Sequence, residues 1–380
     1  MGALNGMRIL GDRALFHPDA VMGPSAATSR IFHAAATDTM PWGPDASLLD
    51  LGCGGGALAL ALWPHAAVRL GADISQRAIR MAAMNRMLNA GLSNEPSPVF
   101  AQGNLFAPVA GRRFRRIVCQ PPFLPDTGSG STFSAGGPWG DAITMDILRQ
   151  LHNHLEPEGR AVLCVEWAAS SDHHDGAPLW RSRVRQATAG QPLLGLHCEL
   201  FRTSAEDYCT LLAPYLHPLG QPAYGNFLRR MLHHYQQQGI EWIDLVVHFF
   251  QPALDCPPVQ AVRQVPLSAL DHVTAQYADR GFQAMRLANA PDPALLAANL
   301  LAPAGFRVVA LHPHPPPNVT VEFAPESLLA GGHLPLEAVA VLEAASGISG
   351  QEVLSMLPGS REENLNLIRQ MLLQGLLFAE

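Results

Sequence analysis

Charge is scarce in this chain. Only 15% of its residues are Asp, Glu, Lys or Arg, the formal net charge is −7, and the pI is near 6.1. Without an overall basic excess, the chain lacks the electrostatic footprint of a protein that grips nucleic acid regardless of sequence. Paired cysteines are missing as well. Cys53, Cys119, Cys164, Cys198, Cys209 and Cys256 include no C-x-x-C spacing, which leaves buried, reduced thiols as the expectation. No stretch approaches the ~20 apolar residues of a membrane span, and the N-terminus has no continuous apolar h-region. These absences predict a soluble cytoplasmic protein without membrane contact. What is plentiful is apolar matter: 48% of 380 residues, enough for about two packed domains.

Along the chain, strands and helices alternate after an opening segment, 1–46, of helices and loops. Strands are expected at 47–51, 68–73, 98–102, 117–120 and 160–167, and helices at 56–63, 75–90 and 142–155. Ser75 suits an N-cap, Gly91 a helix stop, and Pro121-Pro122 cannot continue a ladder. This alternation argues for a parallel α/β sheet with helices on both faces. Strands near 194–202 and 241–251, with a helix at 224–238, supply its last members. The domain expected over 47–252 gives way to a Pro-rich connection and an accessory domain over 253–380. There, helices at 335–345, 351–357 and 362–374 carry a capping-box pattern at Ser349–Glu352 and one apolar face of Leu365, Ile368, Met371 and Leu372.

The densest chemical signal is Asp50-Leu-Gly-Cys-Gly-Gly-Gly56, a buried strand running into a glycine bend and an apolar helix. Such a bend lets backbone approach a nucleotide-like ligand, with a helix N-terminus behind it. Asp73 ends the next strand about 20 residues past the first glycine, where a carboxylate can accept from ribose hydroxyls. Asn104 follows the third strand, placed to hold an adenine amino group, with Leu105 and Phe106 against the ring. Gly52, Gly54 and Ala57 also fit G-x-G-x-x-A, a dinucleotide pattern. That reading leaves Cys119-Gln-Pro-Pro-Phe123 without a role.

With that motif at the end of the fourth strand, the chain resembles the class I S-adenosylmethionine (SAM) methyltransferases that carry Asn-Pro-Pro-Tyr or Asn-Pro-Pro-Phe there. These include the release-factor glutamine methyltransferases and the guanine-N2 ribosomal RNA methyltransferases. The resemblance implies a Rossmann-like seven-stranded methyltransferase sheet, followed here by a smaller C-terminal α+β or winged-helix-like domain. It implies SAM as cofactor, held by Ser29, Asp50, Gly52, Cys53, Gly54, Asp73, Ile74, Asn104, Leu105 and Gln120. It also implies that Gln120, Pro121, Pro122 and Phe123 hold a planar nitrogen acceptor, the carbonyls taking its hydrogens and the aromatic ring packing on its plane. Catalysis of this kind is mostly positioning and desolvation. Gln120 departs from the family's Asn by one methylene. The segment 17–29 looks like the family's pre-strand segment, and Ala135-Gly-Gly-Pro-Trp-Gly-Asp141 like its glycine-rich loop.

The acceptor is therefore expected to be a small molecule, peptide or protein rather than nucleic acid. The alternatives are a ribosomal RNA guanine-N2 methyltransferase, or a retained fold without chemistry that serves as a binding module. The C-terminal domain would cover the site, recognise the acceptor or pair two subunits as a homodimer. Arg112-Arg-Phe-Arg-Arg116 reads as a solvated loop. His173-His174 and His312 with His314 sit in loops without a second set of ligands, so no metal site is expected.

Overall fold

The chain opens with an antiparallel hairpin, β1 (Gly2–Leu4) and β2 (Met7–Ile9). This comes from a computed structural model, which describes every residue except 1, 5, 13–18, 24–32, 34, 38–45, 63–65, 92–96, 127–132, 171–177, 217–221, 267–272, 304, 313–317, 325–328, 330, 331 and 380. Two units divide the chain. Unit 1 comprises Met1–Gln191 and Phe201–Pro252; unit 2 comprises Pro192–Leu200 and Ala253–Glu380.

Unit 1 alternates as the sequence predicts: β3 (Ser47–Leu51), α1 (Ala57–Ala61), β4 (Val68–Asp73), α2 (Gln76–Leu88), β5 (Val99–Gln102), β6 (Phe114–Cys119), α3 (Ala142–Gln150) and β7 (Leu155–Ala169). Then come α4 (Leu179–Ala187), β8 (Leu193–Ser204, entering this unit at Phe201), α5 (Ala205–Leu216), α6 (Pro222–Gln238) and β9 (Trp242–Pro252). The strands β8-β9-β7-β6-β3-β4-β5 follow one another in a mainly parallel Rossmann-like sheet of eight strands, one more than expected, with β9 antiparallel to β7. All five residues of β3 are buried, the mark of a central parallel strand covered on both faces. From β3 the chain runs outward to β4 and β5, then returns to the other side of β3 as β6. That reversal opens a crevice at the carboxyl ends of β3 and β6, where α/β sheets bind ligands.

Several boundaries differ from the expectation. The arginine cluster is no solvated loop: Phe114–Arg116 begin β6, with Phe114 fully buried and Arg116 nearly so. α3 stops at Gln150 and a 3₁₀ turn, Leu151–His154, carries the chain directly into β7, five residues earlier than expected. β7 also runs past Cys119, the last residue of its partner β6. The helix α5 was not foreseen, because Pro214 sits inside it. Of the six cysteines, all reduced, only Cys256 is not buried.

Unit 2 is α+β. β10 (Gln260–Gln264) pairs in parallel with the first part of β8, from Gln260↔Gly195 to Gln264↔Glu199. It is followed by α7 (Ala275–Ala288), α8 (Asp292–Ala297), β11 (Asn299–Leu301), β12 (Arg307–His312), β13 (Asn318–Glu322) and β14 (Gly332–Pro335). The unit ends with α9 (Leu336–Ala344), β15 (Ser346–Ser349), α10 (Gly350–Met356), α11 (Arg361–Gln374) and β16 (Phe378–Ala379). Two small antiparallel sheets, β15-β11-β16 and β12-β13-β14, join the helices. The predicted capping box at Ser349 and Glu352 forms, and a second closes Ser360 and Glu363. Leu365, Ile368, Met371 and Leu372 are buried in the core with Leu295, Leu300 and Val341. His312, expected in a loop, ends β12 instead.

Candidate active site

Asp50, near the end of β3, is 2% exposed, and its Oδ2 accepts the Ala59 N–H at 2.9 Å, tying the first turn of α1 to the strand. Burial pushes its carboxyl up to about 7, opposed by the Ala59 hydrogen bond and reinforced by the charge of Asp73. The bend that follows is left-handed at Gly52 (φ 72), Gly54 (φ 50) and Gly56 (φ 74), a conformation that residues with a Cβ adopt only at a penalty. The Gly52 and Cys53 N–H groups both donate to the Ala72 carbonyl, at 2.8 and 3.0 Å. The bend is thereby pinned to β4.

Asp73 ends β4 and organises the next turn. Its Oδ2 accepts the Gly54 N–H and its Oδ1 the Ser75 N–H, each at 2.8 Å. Burial raises its pKa, partly offset by those two bonds. Ile74, beside it, is 56% exposed. Together with Ser75, Gln76, Arg77, Arg80 and Asp19 it lines a cavity of about 570 Å³. The β5 loop is tied to this turn by Gly103 N–H to the Asp73 carbonyl (2.9 Å) and Gln102 Nε2 to the Ile74 carbonyl (3.2 Å). Asn104 is exposed, and Leu105 has φ 47, the one non-glycine residue with positive φ among the described residues. Such a conformation costs about 1–3 kcal/mol. Phe106 does not join them. It is buried and stacks on His154, ring centroids 4.1 Å apart and nearly coplanar, so it belongs to the core.

The diproline corner stands beside the glycine bend. β3 and β6 are in register at Leu51↔Cys119, and a Cβ added to Gly52 would lie 3.9 Å from the Gln120 carbonyl oxygen. Pro121 is buried, while Gln120, Pro122 and Phe123 are half-buried. The glycine-rich loop folds back onto this corner. Leu124 N–H donates to the Ser134 carbonyl and Gly136 N–H to the Leu124 carbonyl, both at 2.8 Å. A Cβ on Gly140 would sit 2.1 Å from the Phe123 carbonyl oxygen, so only glycine permits the contact. Asp141 pairs with Arg183, which lies over the Trp139 ring at 5.1 Å.

Sequence reasoning missed a second constellation on the same sheet face. Asp50, Val118 and Val162 share a register, so side chains at two-residue steps along β7, namely Cys164, Glu166 and Ala168, continue the Asp50 face. Glu166 accepts a short hydrogen bond from the Tyr208 hydroxyl of α5. Burial lifts its carboxyl to about 7 against that bond. Tyr208 and Tyr235 pack with Ala168, Phe123, Leu124 and Trp139 in one apolar cluster, and the buried Tyr235 hydroxyl has no hydrogen-bond partner among the described residues. The signal present in the sequence was Ala205-Glu-Asp-Tyr208, whose partner across 42 residues no local pattern could name. Of the expected site residues, Asp50, Gly52, Cys53, Gly54, Asp73, Ile74, Asn104 and Leu105 lie at the ends of β3, β4 and β5 or in the turns that follow them, and the Gly52 bend adjoins Gln120. Ser29 lies outside the described residues, as do His173, His174 and His314.

Residues 31–172 match the family described as "Methyltransferase small domain". The chain is 32% identical over 124 residues to the ribosomal protein uL3 glutamine methyltransferase of Xylella fastidiosa (strain 9a5c), covering 29% of this chain and 38% of that protein. It is 30% identical over 178 residues to the release factor glutamine methyltransferase of Xylella fastidiosa (strain Temecula1), covering 42% and 62%. The chain thus spans less than two thirds of the length of either relative. Among solved structures, the ribosomal protein L11 methylase from Lactobacillus delbrueckii subsp. bulgaricus aligns with a TM-score of 0.32 at 18% identity, over 58% of this chain and 77% of that one.

Proposed function

We propose that this protein transfers the methyl group of SAM to a planar amide nitrogen, that of a glutamine side chain in a protein acceptor. The observation that carries the reading is the adjacency of the Gly52 bend and the Gln120 carbonyl in the β3–β6 crevice. The site's chemistry fits the cofactor, which when bound supplies an electrophilic methyl on a positively charged sulfur. Burial raises the cost of ionising both Asp50 and Asp73, and the charge of Asp73 adds to that of Asp50; a nearby cation relieves it. Gly52, Cys53 and Gly54 would hold the amino-acid end. Each Asp73 oxygen takes one backbone N–H and keeps acceptor capacity for a ribose hydroxyl. Ile74, Asn104 and Leu105 would line the adenine.

On the acceptor side, the Gln120 side-chain oxygen and the Pro121 carbonyl would accept the two amide hydrogens, turning the nitrogen lone pair toward the methyl group. Pro122 fixes the corner and Phe123 supports the amide plane. As the nitrogen gains carbon it must release one hydrogen, and Glu166 Oε1 is the atom we assign to take that proton. A group with a pKa near the working pH suits the task. In this reading catalysis belongs to residues 47–252 and acceptor recognition to 253–380. Both curated relatives are named as glutamine methyltransferases of protein acceptors, which supports the choice of a protein over a small molecule.

Calorimetric titration with SAM and with its demethylated product tests the first half; no binding of either sinks the proposal. Tritium transfer from methyl-labelled SAM into purified release factor and ribosomal proteins, followed by mass spectrometry of the labelled residue, tests the second. Binding without transfer to any glutamine would favour a non-catalytic module, the reading that Gln120 in place of Asn supports.

A further inference from the structure

An enclosed arginine stands without a counterion in unit 2. Arg263, on β10, is 2% exposed. Its Nε, Nη1 and Nη2 all lack a hydrogen-bond partner among the described residues. Tyr277, on α7, is 8% exposed; its hydroxyl makes no well-formed hydrogen bond among the described residues and lies in reach of the Arg263 side chain itself. The Arg263 Cζ lies 5.1 Å from the centroid of the Tyr277 ring and 5.7 Å from that of Phe378. Two glycines let the guanidinium pack closely: a Cβ on Gly375 would come within 2.6 Å of Cζ, and one on Gly281 within 3.4 Å of Nη1.

Aromatic faces attract a guanidinium, but they leave its edge donors unmet. Those five N–H groups form a rigid fork that cannot shed its charge. The ladder neighbour Cys198 offers no anion, because burial pushes its thiol up to about 12. Other arginines of the unit have committed their carboxylates elsewhere: Arg286 to Asp255, Arg307 to Glu322 and Arg369 to Asp292. A buried charge without a partner is strongly disfavoured. A guanidinium fork beside a phenol hydroxyl is the donor set that a carboxylate or phosphate group satisfies. We propose that unit 2 binds a small oxyanion, with Arg263 as its charged pole and Tyr277 Oη as a second donor. Nothing in this assignment depends on methyl transfer.

The test is thermal unfolding of the full chain at fixed ionic strength, with chloride replaced by inorganic phosphate in one arm and by acetate in another. The unaltered protein is expected to gain several degrees in at least one arm. Arg263→Met should gain nothing and should melt above the unaltered protein in chloride alone, since its uncompensated charge is gone. A rise in phosphate alone points to a phosphate ester as the natural ligand, and a rise in acetate alone to a carboxylate. No rise in either arm, or an equal rise in both proteins, overturns the proposal. Should Arg263→Met fail to fold, Tyr277→Phe replaces it. Calorimetric titration of the effective anion should then show a Kd weakened on the order of tenfold, and an unchanged Kd overturns the assignment.

Discussion

Tyr208 donates its phenolic hydrogen to Glu166 Oε2, and the bond acts on the two groups in opposite senses. It lowers the carboxyl, which burial has lifted to about 7, and adds a little to the burial and the Glu166 charge that hold the phenol well above its usual range. The phenol therefore stays a neutral donor across the working range, and only Glu166 titrates. If Glu166 takes the acceptor's proton, methyl transfer falls as pH drops through about 7. Glu166→Gln should remove that limb of the pH–rate profile and slow the reaction by about 10²–10⁴-fold. Tyr208→Phe should move the limb to higher pH, because it deletes the bond that lowers the carboxyl. A profile that Glu166→Gln leaves unaltered would defeat the assignment.

Asp73 holds two backbone N–H groups and precedes Ile74, which lines the cavity. Asp73→Ala is expected to weaken SAM and its demethylated product equally, by about 2 kcal/mol or more, the worth of hydrogen bonds to a charged group. Equality is the point, since the two ligands share the ribose. Unchanged affinity in calorimetric titration would rule out Asp73 as the ribose partner.

Asp50 and Glu166 both have folded pKa values of about 7, above the ordinary carboxylate values of 3.8 and 4.5. The folded chain therefore holds protons that the unfolded chain has lost, and ligand-free stability falls as pH rises from about 4 to about 7, then levels off. Chemical denaturation at pH 5 and pH 8 reads this directly, and Asp50→Asn should flatten the slope. A sulfonium prefers the ionised site, so SAM should bind more tightly at pH 8 than at pH 6, while its product, whose sulfur is neutral, should gain less. Parallel pH dependence of the two ligands would count against Asp50 facing the sulfonium.

Gly140→Ala forces a methyl group to within 2.1 Å of the Phe123 carbonyl oxygen at φ 79. Overpacking of this kind costs about 1–3 kcal/mol. The expected result is a lower melting temperature and a raised KM for the acceptor, with SAM affinity kept. A variant that loses SAM binding but keeps the acceptor KM would contradict the packing of the glycine-rich loop on the diproline corner.

The glycine bend and the acid beyond it were legible because their determinants are local. A glycine bend after a buried strand and an acid at the end of the next strand each announce themselves within a few residues. Gln120 was legible for the same reason, since diproline ends a strand wherever it occurs. Phe106 was misassigned because a sequence cannot say which way a ring turns, and His154, its stacking partner, comes 48 residues later. Glu166 and Tyr208 escaped notice because their meeting depends on how β7 and α5 pack. The small antiparallel sheets of unit 2 were missed where exposed Val308, Val309 and Leu311 break the two-residue alternation that a half-buried strand displays.

The burial of five of the six thiols has a practical consequence. Their protonated, shielded sulfurs react slowly with alkylating reagents, whereas Cys256 is partly open to water. A maleimide dye added to the native protein should therefore attach at that one position, giving unit 2 a fluorescent reporter without any engineering of the chain.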